Sequence, residues 1–183
     1  MNKLKTTYIL LVVFISFQIN AQHQPETVVL MDPNKSIIKN AQNSGNHEFL
    51  LAAVKASDLE TILDSSGPFT VFAPNDVNFD SGTKEKVIEL VRVNNKEELQ
   101  LLLGYHIIAG NLSASKILKA LCRGKGKTKF TTITGDTLIA TMSGLDIILT
   151  DKNGNQSVIT KADSDQCNGV IHEIDSITKP IKV

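Results

Sequence analysis

An α+β domain with mostly antiparallel strand pairing is the fold class that this 183-residue sequence predicts. Apolar residues recur at helical spacing over residues 37–103, whereas short β-branched runs take over from residue 129. The dipeptides Gly135-Asp136, Ser143-Gly144 and Asn153-Gly154 punctuate those runs as turns. Helices gathered early and strands gathered late do not alternate, which disfavours a doubly wound parallel sheet.

The elements follow in order. Ile37, Ile38 and Ala41 have helical spacing, and a second helix is expected from Asn46 as N-cap through Phe49, Leu50, Ala53 and Val54. Leu59, Ile62 and Leu63 form a third short piece, ended by Gly67-Pro68. Residues 69–73 read as a strand that Pro74 terminates. Asn75 or Asp76 caps the next turn, with Val77 and Phe79 expected to be buried. Residues 84–92 form a helix with Val87, Leu90 and Val91 on one side, and Asn95 with Glu98 gives a capping signal before Leu99, Leu101, Leu102 and Leu103. A strand over residues 105–109 and a helix capped by Ser113 come next, followed by strands at 129–133, 137–142, 146–150, 157–161 and 170–177.

The N-terminus reads as an export signal. Lys3 and Lys5 precede an uncharged, mostly apolar run over residues 8–19, and Ala21 supplies a small residue before Gln22. The run falls short of the ~20 apolar residues of a spanning helix, so no transmembrane anchor is expected after cleavage. Residues 1–21 are therefore assigned to a signal peptide, 22–35 to a polar linker containing Pro25 and Pro33, and 36–183 to one domain. The destination is secreted, periplasmic or extracellular. Losing Lys3 and Lys5 leaves 17 basic against 19 acidic residues, which gives no global footprint for nucleic acid or membrane. With no Trp and two Tyr, aliphatic packing must carry the core.

Two segments carry the strongest signal. Thr70-Val71-Phe72-Ala73-Pro74-Asn75-Asp76 and Asn168-Gly169-Val170-Ile171-His172-Glu173-Ile174-Asp175 resemble the two signature blocks of the fasciclin domain family. The helical lead-in, the leucine-rich helix running into Tyr105-His106 and the strand meander match its order from about residue 36 to the end. The resemblance implies an antiparallel strand wedge with packed helices, and an extracellular adhesion module without general catalytic chemistry. In animal members a Tyr–His pair with aliphatic flanks is associated with receptor recognition, which implies Tyr105 and His106 as candidate adhesion residues. The adhesive Asp–Ile pair of some members would fall at Asp163-Ser164, where its aliphatic member is missing.

Other constellations fail on chemistry. Residues 123–128 end like a phosphate loop, but a helix precedes and a strand follows, the reverse of the required context. Asp151, Asn153 and Asn155 open like a calcium loop, yet Gln156 and Ala162 occupy its glycine and bidentate-glutamate positions. His172 and Asp175 are an odd number of strand positions apart and cannot face one another, so His172 is read as a buried histidine supporting the last strand. Asp163 and Asp165 are able to share one face, but glycosidase chemistry requires another carboxylate opposite a sugar-binding cleft, commonly lined by aromatics, and aromatics are scarce here. No catalytic residue, metal site or cofactor is assigned.

Lys116, Lys119, Arg123, Lys125, Lys127 and Lys129 accumulate across a helix end and a glycine-containing loop, a candidate patch for acidic polysaccharide. Nucleic acid is not expected, because no aromatic platform interleaves with these lysines. On an exported chain Cys122 and Cys167 are a candidate disulfide closing 46 residues, worth ~4 kcal/mol in the chain-entropy model, although sequence leaves bridged and free forms open. Asn34, Asn111 and Asn155 stand in glycosylation sequons. The function expected is a non-enzymatic adhesion or matrix-interaction module binding protein or polysaccharide. Its rivals are a secreted hydrolase on the same scaffold and, more distantly, a small-molecule carrier enclosing an apolar cavity.

Overall fold

The computed structural model describes residues 31–65 and 67–177. The segment read from sequence as a signal peptide, and most of the expected linker, lie outside the described residues. Residues 31–35, assigned to the linker from sequence, are tied into the domain. Met31 packs on the core, the Asp32 N–H donates to Asn40 Oδ1 at 2.9 Å, and Lys35 O accepts from the Cys167 N–H at 3.0 Å.

Six helices and seven strands follow: α1 (Ile37–Ser44), α2 (Glu48–Ala56), α3 (Leu59–Leu63), β1 (Phe69–Pro74), α4 (Ser81–Arg92), α5 (Lys96–Gly104), β2 (Ile107–Ala109), α6 (Ala114–Arg123), β3 (Lys127–Thr131), β4 (Thr137–Ser143), β5 (Asp146–Thr150), β6 (Gln156–Gln166) and β7 (Gly169–Ile174). A 3-10 turn at Asp76–Asn78 follows β1, and Asn75 caps it. The strands form one sheet in the order β2-β1-β7-β6-β5-β4-β3. Every pairing is antiparallel except β1 with β7, which run parallel in register from Phe69 opposite Gly169 to Pro74 opposite Ile174. The two signature blocks are therefore neighbouring strands.

The long β6 bends the sheet into a wedge. Its register with β7 slips between Ile159 and Lys161 and again between Lys161 and Ser164, as bulges do when they kink a strand. Two cores result. Between α1–α5 and the sheet lie Val71, Ala73, Ile107 and Ile171 together with Leu51, Val54, Leu99 and Leu103. Inside the wedge lie Phe72, Tyr105, Ile108, Leu138, Ala140, Leu149 and Ile174, closed off by Ile117 and Leu121 of α6. The strand period of two explains the split, since Val71 and Ala73 face one core and Phe72 the other.

Several elements depart from their sequence expectations. Val77 is 82% exposed, because the 3-10 turn directs Phe79 inward instead. In α4, Val87 and Leu90 are buried but Val91 is half exposed. That helix starts three residues earlier than its apolar pattern suggests, where Asp80 Oδ1 accepts from the Thr83 N–H at 2.9 Å. The capping signal at α5 holds: Asn95 Oδ1 accepts from the Glu98 N–H and Asn95 Nδ2 donates to Glu98 Oε2 at 3.0 Å, a side-chain pair in place of the backbone bond of a full capping box. Ser113 holds the N-cap position of α6 without a side-chain capping bond, and His47, not Asn46, holds that of α2. Asp76 accepts from the Glu48 and Phe49 N–H groups at the start of α2, and Asp163 accepts from the Ala114 N–H at the start of α6. Both caps come from distant parts of the chain.

Candidate functional site

Tyr105 and His106 are not on a strand. They form the turn by which α5 exits into β2, so the alternation expected to pair Tyr105 with Ile107 and His106 with Ile108 does not apply. The pairing is the reverse: Tyr105 enters the inner core with Ile108, while His106 lines a space between helices and sheet with Ile107. Tyr105 is fully buried, its hydroxyl donating to Thr137 O at 2.8 Å and accepting from the Lys152 N–H at 3.0 Å. Burial pushes the phenol pKa up. His106 is buried too, with Nδ1–H donating to Leu102 O at 3.2 Å, and desolvation pulls its pKa down to about 4. Two adjacent polar rings are thus fixed in two different cores.

The space beside His106 measures about 30 Å³ and is lined by Ile38, Leu51, Leu103 and His47. It suits a water molecule and is too small for a carried ligand. Burial also lowers the pKa of His47, whose Nδ1 meets Ser44 Oγ at 3.0 Å and whose Nε2 has no partner among the described residues.

His172 stacks on Phe72 with ring centroids 5.6 Å apart. Its Nε2–H donates to Leu112 O at 2.8 Å and its Nδ1 accepts from the Asp163 N–H at 3.2 Å, a pair of bonds that selects the neutral Nε2–H tautomer. Burial lowers its pKa accordingly. The ring therefore fastens β7 to the β6 bulge and to the loop before α6. The bulge holds Asp163 at φ 59°, a left-handed conformation that an aspartate tolerates, and breaks the alternation that would set Asp163 beside Asp165. Asp175 lies beyond β7, accepting from the Val158 N–H.

The signature residues do similar structural work. Asn168 Oδ1 accepts from the Ile37 N–H at 2.9 Å while Nδ2 donates to Leu63 O at 2.6 Å, joining α1 and α3 to the closing turn. At Gly169, with φ 155°, a Cβ would lie 2.0 Å from Phe69 O, so the parallel approach of β1 and β7 requires glycine. Asp151 is a turn residue: its buried carboxylate accepts from the Asn153 and Asn155 N–H groups at 2.8 Å. Cys122 and Cys167 are both free and exposed in this structure. Cys122 lies in the last turn of α6 and Cys167 in the β6–β7 turn, where its N–H donates to Lys35 O.

Lys116, Lys119, Arg123, Lys125, Lys127 and Lys129 are all exposed, and among the described residues none joins an ion pair. They form two rows. Lys116, Lys119 and Arg123 share the outer stripe of α6, opposite Ile117 and Leu121. Lys127 and Lys129 project from the side of β3 opposite Phe130, which packs toward α6. Lys125 sits between the rows, in the turn. β3 is an edge strand, and its lysines also discourage pairing with another chain. Among the described residues no group of three or more His, Cys, Asp or Glu is placed to hold a metal ion, and no helix is long and apolar enough to cross a membrane.

Residues 45–180 match the sequence model of the Fasciclin domain. Protein sll1483 of Synechocystis sp. is 31% identical over 153 residues, covering 81% of this chain and 76% of that protein. The transforming growth factor-beta-induced protein ig-h3 of Sus scrofa is 32% identical over 133 residues, 73% of this chain but 18% of that protein. The fold matches a solved pair of FAS1 domains from the insect cell adhesion molecule fasciclin I, with a TM-score of 0.66 at 14% identity over 78% of this chain and 50% of that one. The chain belongs to the fasciclin domain family.

Sequence reasoning missed the structural roles of Asp76 and Asn168, although both stand in the signature blocks. Nothing local marks Asp76 as the cap of a helix 28 residues upstream.

Proposed function

We propose that this protein is an exported, non-enzymatic adhesion module whose contact surface is the cationic region of α6, the following turn and β3, with an acidic polysaccharide or an acidic protein surface as its ligand. The observation that carries the reading is the set of six exposed cations free of ion pairs with described carboxylates, on a chain of zero formal net charge. Membership of the fasciclin domain family supports the class, and the export signal read from residues 1–21 supports the compartment. The rival hydrolase needs a general base within reach of substrate. His47, His106 and His172 are instead buried within the domain.

The purified mature protein should bind dextran sulfate and not neutral dextran, with affinity falling steeply as salt rises from 50 to 200 mM, values chosen to span a Debye length of roughly 14 to 7 Å. It should not turn over ester, peptide or glycoside substrates. Equal retention of both dextrans, or a turnover abolished by His172→Ala or Asp163→Ala in protein that stays folded, would overturn the reading.

A further inference from the structure

The β4–β5 hairpin carries an apolar tip that the adhesion reading does not use. Ser143 and Asp146 are the last paired residues, leaving a two-residue loop of Gly144, at φ 62°, and Leu145. Such loops favour glycine and small polar residues. Leu145 is 96% exposed, and the tight loop gives its side chain no route back to the core. Met142 continues the inward row of Leu138 and Ala140 to the rim of the wedge, where it is 37% exposed.

Cations flank this tip. The Met142 N–H donates to Gly126 O at 3.3 Å and Lys127 lies opposite Thr141, which sets the turn after α6 directly beside the hairpin. The turn that carries Arg123, Lys125 and Lys127 therefore lies at the same end of the sheet as the hairpin tip, with Lys127 on the face opposite Met142, and Asp146 is the carboxylate on the hairpin itself. Lys125 keeps its place at φ 54°, a conformation in which Gly or Asn would be less strained.

We propose that this tip is a surface anchor for an anionic lipid bilayer, with Leu145 and Met142 entering the headgroup–acyl boundary while Arg123, Lys125 and Lys127 meet the lipid charges. A hydrated polyanion would satisfy the cations but offer a fully exposed leucine nothing, whereas a bilayer interface satisfies both. The proposal extends beyond polysaccharide binding and does not depend on it.

The sequence contains no Trp, so Leu145→Trp makes a single-tryptophan probe in the mature protein. With vesicles of phosphatidylcholine and phosphatidylglycerol at a ratio of about 4:1, chosen to reach a clear surface potential, its emission should shift to the blue and be quenched by brominated acyl chains. Pure phosphatidylcholine should leave it unchanged. Leu145→Ser should lower vesicle affinity about tenfold, from lost apolar burial, without changing dextran sulfate binding, and Lys125→Glu with Lys127→Glu should lower vesicle affinity at least as much. Vesicle binding with these signatures supports the anchor even where dextran sulfate fails to bind. Unshifted emission with anionic vesicles, or unchanged vesicle affinity in Leu145→Ser, would overturn it. Equal losses of vesicle and dextran sulfate binding in Leu145→Ser would also overturn it, assigning the tip to a soluble partner.

Discussion

Tyr105→Ala is expected to destabilise the domain by about 3–5 kcal/mol, the usual cost of truncating a buried aromatic. For a domain of this size that lowers the melting temperature by about 10 °C or more. The ring fills the inner core beside Ile108 and Leu138, and its hydroxyl serves two backbone groups at once. Tyr105→Phe separates the two contributions. It keeps the ring but leaves Thr137 O and the Lys152 N–H without their hydroxyl partner, which costs about 1–3 kcal/mol. Thermal denaturation of both variants checks the result, and a Tyr105→Ala protein melting within about 2 °C of wild type, under about 1 kcal/mol, would show that the ring is not a core element. Loss of adhesion in Tyr105→Ala would not identify a contact residue, because the folded population itself falls.

Acidification should weaken the fold between pH 6.5 and about 4. The unfolded chain protonates His106 near 6.5, whereas burial holds the folded imidazole neutral down to about 4. Across that window the unfolded state binds the extra proton, so stability declines as pH falls, by about 1.4 kcal/mol per pH unit and about 3 kcal/mol in all for this residue. Above pH 6.5 His106 contributes no slope, and below about 4 its contribution levels off. His47 and His172, also lowered by burial, steepen the decline. Chemical denaturation from pH 7 to 4 measures it. His106→Gln should reduce the slope even while lowering stability at neutral pH, and an unchanged slope would mean that His106 protonates in the folded protein as readily as in the unfolded one.

Much of the architecture was legible because its signals are local. The apolar run that marks β5, the Asn95–Glu98 capping signal and the turn glycines each depend on residues close in sequence, and each appears where its chemistry places it. What escaped depends on partners distant in sequence. The parallel pairing of β1 with β7 joins residues 100 positions apart, Phe69 with Gly169, and neither strand's pattern names its neighbour. Asp76 and Asp163 cap helices from afar, so the local candidates Asn46 and Ser113 drew the assignment instead. Two bulges break the period of β6, which hid that strand's full length.

The site divides along the same line. The cation row of α6 was readable in sequence as a helix end, whereas β3 begins at Lys127, two residues before the expected strand, and its edge position comes from the sheet order. The inward turn of Tyr105 and His106 was not readable, because it depends on α5 ending before β2 begins. The exposure of Leu145 follows from the tight hairpin between Ser143 and Asp146, which no residue pattern around it announces.

The account rests on recognition residing in exposed cations while the Tyr105–His106 pair holds the fold. The most direct test measures melting temperature and dextran sulfate affinity side by side for two variants, Lys125→Glu with Lys127→Glu, and His106→Gln. The account predicts that charge reversal leaves the melting temperature within about 2 °C of wild type, as surface changes usually do, and cuts affinity at least about tenfold. His106→Gln should lower the melting temperature and leave the affinity of the folded protein intact. Intact stability with lost affinity in His106→Gln, together with unchanged affinity in the charge-reversed variant, would contradict it.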